Sequence, residues 1–65
     1  MMTPQLFLKT LVGKNVRLHF ARVDSAAVEG VLDGFDQYGI VVRRADRQTF
    51  FSWLILRSID GAEED

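Results

Sequence analysis

Residues 30–44 read GVLDGFDQYGIVVRR, and they constrain the fold more than any other stretch of the chain. Val31 and Leu32 lead into a polar knuckle of Asp33, Gly34, Phe35, Asp36, Gln37, Tyr38 and Gly39, and Ile40, Val41 and Val42 lead out of it. Short β-branched runs bounded by Gly and Asp spell strand, turn, strand. Gly30 and Gly34 stand inside or at the edge of strand pattern, where an isolated glycine marks a bulge or a sharp bend. The strongest bend is expected at Gly30. A strand bent in its middle can serve two sheets of a small closed barrel.

The rest of the chain is short. Sixty-five residues make one domain, expected over 1–60, followed by a short acidic disordered tail over 61–65. A chain of this size buries only about 60% of its unfolded surface, which leaves it marginal alone. It has no Cys and a single His, so disulfides and a multi-His metal site are excluded within one chain. Oligomerisation is the remaining source of stability besides packing, and 48% apolar residues supply surface for it. No apolar run is long enough to span a bilayer. With no basic-then-apolar leader, cytoplasmic residence is the expectation. The net charge of −1 conceals an uneven distribution: residues 1–59 hold eight basic and five acidic side chains, a balance of +3, and the acids concentrate at the end.

In chain order, Thr3-Pro4 is a helix start, with Thr as cap and Pro at the first helical position. Leu6, Phe7, Leu11 and Thr10 share one side of a helix over 4–12, and Gly13 ends it as a left-handed cap. That apolar side is expected to close one mouth of the barrel. Residues 15–21 alternate, with Val16, Leu18 and Phe20 against Arg17 and His19, which is a half-buried strand. A turn over 22–25 follows. A second strand covers 26–35, with Val28, Gly30 and Leu32 on one face, and a third covers 39–44. Ala45-Asp46 turns, 47–53 is the fourth strand, Leu54-Ile55 is a tight link, and 56–59 is the fifth. One helix and five bent antiparallel strands with short connections define a mainly β fold.

The run Gly30-x-Leu32-x-x-Phe35-Asp36-Gln37-Tyr38, followed by an apolar strand, resembles the Sm-like family, and within it most the Hfq type of bacterial RNA chaperone. The pattern can be laid along the chain to about Ile59 without a gap. The resemblance implies an Sm-like, SH3-type barrel with an N-terminal helix. In that family strand four of one subunit pairs with strand five of the next, which implies a homo-oligomeric ring of five to seven copies. It also implies single-stranded, uridine-rich RNA held at the pore. At the matching positions Tyr38 stacks on a base and Gln37 helps hold it, a chemistry that suits unpaired bases; Tyr38 packed between subunits is the other reading.

The chain departs from the Hfq pattern in the fourth strand. A Tyr-Lys-His signature is replaced by Phe51, Ser52 and Trp53, which removes a cation and a base-bonding His. Trp53 either stacks a second base or plugs the pore. The opposite face of an Hfq ring takes adenine-rich RNA, and of its amides only Gln48 is kept, with Ala21 and Glu29 at other matching positions. Arg43, Arg44 and Arg47 cluster around the turn between strands three and four, as either an RNA contact or a solvated turn. The expected binding is therefore weak. The alternative is a structural or protein-interaction ring that has lost RNA.

Catalysis is not expected. His19 lies on the polar side of a strand with no acid spaced in sequence to orient it, and there is no Ser-His-Asp or Cys-His set. Turn chemistry accounts for Asp33 and Asp36 better than a cation does. No cofactor is implied.

Overall fold

The structure is a computed structural model that describes residues 3–22 and 26–61. Val23, Asp24 and Ser25 of the expected turn, and 62–65 of the expected tail, lie outside the described residues.

Helix α1 spans Pro4–Leu11. Thr3 caps it through an Oγ1 that accepts the Leu6 N–H at 3.2 Å, and Pro4 opens the first turn. Gly13 follows at φ 88°, the left-handed position that a helix end demands. Its N–H donates to Leu32 O at 2.7 Å, and the Leu32 N–H donates to Lys14 O at 3.0 Å, so the helix end is stitched to the middle of a strand. The inward face differs from the one expected. Leu8 and Leu11 are buried, whereas Leu6, Phe7 and Thr10 are exposed. The exit at Gly13 fixes the roll of the helix about its axis, and that roll turns Leu8 inward.

Five strands follow: β1 Asn15–Phe20, β2 Val28–Phe35, β3 Gly39–Arg44, β4 Arg47–Ser52 and β5 Leu56–Gly61. They form one antiparallel sheet in the order β4-β3-β2-β1-β5. Gly61 is therefore part of the sheet, opposite Val16, and not the start of a tail. Trp53 belongs to the link and not to the fourth strand.

The sheet does not close by hydrogen bonding, since β4 and β5 are its two edges. It is nevertheless strongly curled. Flat strands spaced about 4.8 Å apart would put β4 and β5 about 19 Å from each other. The link from Ser52 to Leu56 has three intervening residues, Trp53, Leu54 and Ile55, and such a link reaches at most about 14 Å. Phe20 of β1 and Phe51 of β4 lie three strands apart in order, yet their ring centroids are 5.5 Å apart. The Ala21 N–H also donates to Ile55 O at 2.9 Å. Inside the curl Val16, Leu18, Leu32, Ile40 and Val42 are fully buried, joined by Leu11 from α1.

The register of β2 against β3 breaks between Leu32 and Gly34, so the bulge falls at Asp33. Gly30 sits in regular register opposite Val16. Close approach, rather than a register break, reserves Gly30 for glycine: a Cβ there would stand 2.5 Å from Val42 Cγ1 and 2.9 Å from Arg43 O. Gly30→Val is expected to destabilise the fold by about 1–3 kcal/mol through overpacking, read as a lower urea midpoint; a midpoint equal to the parent's would contradict this packing. In the β3–β4 turn Ala45 adopts φ 57°, a conformation that crowds a Cβ. Ala45→Gly is expected to raise stability by about 0.5–1 kcal/mol in the same measurement.

Candidate nucleic-acid interface

The residues singled out in the sequence divide among three places along β3. At its start lies the β2–β3 turn, built by Asp36. The Asp36 Oδ1 accepts the Tyr38 N–H at 2.8 Å and the Gly39 N–H at 3.1 Å, and the Asp36 N–H donates to Gly39 O at 2.9 Å. This is the local carboxylate chemistry that favours Asp in tight turns. Trp53 braces the turn from the β4–β5 link. Its indole Nε1–H donates to Asp36 O at 2.8 Å, and its backbone N–H donates to Tyr38 O at 3.1 Å.

Gln37 and Tyr38 thus ride on a fixed turn but diverge. Gln37 joins Trp53, Phe35 and the helix residues Pro4, Gln5 and Leu8 around a groove of about 250 Å³. Tyr38 is 66% exposed and stands outside that groove. Trp53 is half-buried and its one donor is already used. The helix wall of the groove carries no sequence motif of its own. Leu8 stands three residues from Leu11, a spacing that favours one helical face, and this was the available signal.

Mid-strand, the outer face of the sheet carries a polar cluster centred on Asp33. Arg43 approaches it with Nε at 3.1 Å from Oδ2 and Nη2 at 3.0 Å from Oδ1, a two-pronged contact, and Gln48 Nε2 donates to Oδ2 at 2.9 Å. The sequence offers Arg43 as either an RNA contact or part of a solvated turn, Gln48 as the one kept amide of an adenine-binding face, and Asp33 as a turn residue. Instead Asp33 occupies the polar ends of the other two. The bulge at Asp33 brings the three together, a spacing invisible in sequence. The Arg43 guanidinium, and then the Gln48 amide, hold the Asp33 carboxyl below the usual Asp range, and Asp33 in turn raises the Arg43 pKa.

At the far end of β3, Arg44 faces Arg47 across the β3–β4 hairpin, both exposed. The run from Gly39 to Arg44 spans five residue steps, or about 17 Å. The three arginines expected to cluster are therefore divided: Arg43 is on the Asp33 cluster and the other two are at the hairpin.

Two further features emerge. The Phe50 ring lies over Gly39, whose added Cβ would meet Phe50 Cζ at 2.8 Å, and it stays 55% exposed. His19 Nε2 stands 3.3 Å from Asp60 Oδ2, because β1 and β5 pair. The His therefore has an acid partner that sequence spacing did not reveal. Ser58 lies opposite His19 but makes no side-chain hydrogen bond to it. Among the described residues no three His, Cys, Asp or Glu side chains gather as a metal site, and no helix is long and apolar enough to cross a membrane.

No protein-family model, curated protein or solved structure matches this chain.

The Asp33 cluster has a pH signature. A depressed carboxyl pKa contributes stability that is complete above the ordinary Asp value of about 3.9. That contribution is lost as the pH falls through the lower folded-state value. Asp33→Asn is expected to lower the melting temperature at neutral pH and to flatten its decline in acid. Parallel melting curves for parent and variant between neutral pH and acid would show the cluster to be inert.

Proposed function

We propose that the chain is a non-catalytic, single-stranded-RNA-binding subunit of an Sm-like homo-oligomeric ring. The observation that carries this reading is the β2–β3 turn, which holds the Tyr38 ring 66% exposed on a backbone fixed by Asp36 and Trp53. An exposed aromatic on a rigid support is a stacking platform for any unpaired base. Gln37, exposed beside it, offers an amide to a base edge. Ring assembly is supported by the two unpaired edges β4 and β5, held close by a three-residue link. Unpaired edges invite a further strand, and a β4-to-β5 joint is heterologous, the kind that forms a ring where its rotation closes. Several weak sites around one pore then gain affinity by multivalency. By resemblance the ring has five to seven copies.

The occupied state of Arg43 and Gln48 and the 91% exposure of Leu54 favour a second reading, a ring that docks protein and not RNA. Native mass spectrometry at micromolar concentration, followed by fluorescence anisotropy with uridine-rich and adenine-rich strands, separates the two. The expected result is a ring that binds the uridine-rich strand weakly and shows little preference for adenine tracts. Tyr38→Ala should lose about 1–3 kcal/mol per stacked base in an intact ring. A folded monomer would refute the assembly. A ring that ignores both strands would leave the protein-docking reading.

A further inference from the structure

The β3–β4 hairpin breaks two local rules at one place. Its last cross-strand pair is Arg44 opposite Arg47, and like charges directly opposite each other are destabilising. Its turn places Ala45 at φ 57°, where two-residue hairpins favour glycine or asparagine. The other arginines of β1 and β3 behave differently. Arg17 is held by Glu29 at 2.6 Å and Arg43 by Asp33 at 3.0 Å. Arg44 and Arg47 make no side-chain hydrogen bond or ion pair among the described residues, and Asp46, in the turn between them, forms no ion pair with either. Two arginines with no acid partner among the described residues thus occupy paired cross-strand positions on an exposed, strained hairpin. Broken local rules of this kind collect at functional sites. An anion between the two groups would reverse the repulsion, and a guanidinium fork matches the oxygens of a phosphate.

We propose that Arg44 and Arg47 together clamp a phosphodiester of single-stranded RNA. The inference rests on the RNA-binding reading above and adds to it a second contact, about 17 Å along β3 from the Gln37–Tyr38 turn. Arg44 lies on the face of β3 that carries Val42, its Cγ beside Gly30, and the Asp33 cluster lies on the opposite face. There Arg43 Nε and Nη2 and Gln48 Nε2 already bond Asp33, so the arginine pair supplies the backbone contact and Tyr38 the base contact.

The test is fluorescence anisotropy at several salt concentrations, with a long oligouridine that reaches both ends and a uridine dinucleotide that covers only one. The proteins are the parent, Tyr38→Ala and the double variant Arg44→Gln/Arg47→Gln. For the long strand the double variant is expected to bind at least about tenfold more weakly, the effect of losing hydrogen bonds to a charged group. Its log–log salt slope should be shallower by at least about 0.7, the value for one phosphate on a single strand. The dinucleotide should bind parent and double variant alike. Because the substitutions remove a repulsion, the double variant should melt no lower than the parent. An unchanged affinity and slope, with Tyr38→Ala still weakened, would overturn the clamp and leave the RNA reading standing. A double variant that melts lower would assign the pair a structural role and overturn the clamp as well. A parent that binds neither strand would remove both.

Discussion

The structure depends on a length constraint. Three residues join the two outermost strands of a five-stranded sheet, and they cannot do so unless the sheet rolls up. The roll brings Phe20 onto Phe51 and buries Val16, Leu18, Leu32, Ile40 and Val42 inside it. A chain this small has little other apolar surface with which to offset its conformational entropy. The register breaks at Asp33 and between His19 and Phe20 are where the strands give to the curvature. Gly30 lets β2 and β3 approach on the inner side of the curl.

The same short link carries the side chain that shapes the candidate site. Trp53 hydrogen-bonds both Asp36 and Tyr38, so the β4–β5 link and the β2–β3 turn are one mechanical unit. Gln37 and Tyr38 are presented by that unit and not by a free loop. Pro4 and Leu8 of α1 back it from the other side.

Charge on the sheet is distributed by the same geometry. Arg17 and Arg43 are neutralised on the outer face by Glu29 and Asp33. Arg44 and Arg47 are left facing each other where the hairpin leaves the sheet. The mild basic excess of residues 1–59 is therefore not a diffuse field, because its members differ in whether an acid already holds them.

The sequence by itself determined the element order. Thr3-Pro4, Gly13, the alternation from Val16 to Phe20, the knuckle around Asp36 and the Ala45-Asp46 turn each place a boundary, because capping, side-chain alternation and turn chemistry act over a few residues. The role of Asp36 in its turn was legible for the same reason. Contacts between residues distant in sequence were decided only in the folded sheet. The Asp33 cluster needs a bulge to bring residue 33 beside 43 and 48, and the His19–Asp60 pair needs β1 beside β5. The inward turn of Leu8 depends on the stitch between Gly13 and Leu32. Separation of the three arginines into one held and two without an ion pair among the described residues depends on which face of β3 and β4 meets an acid. Local physics specifies where each strand begins and ends. Which side chains meet is set by register and curvature, and these are properties of the sheet as a whole.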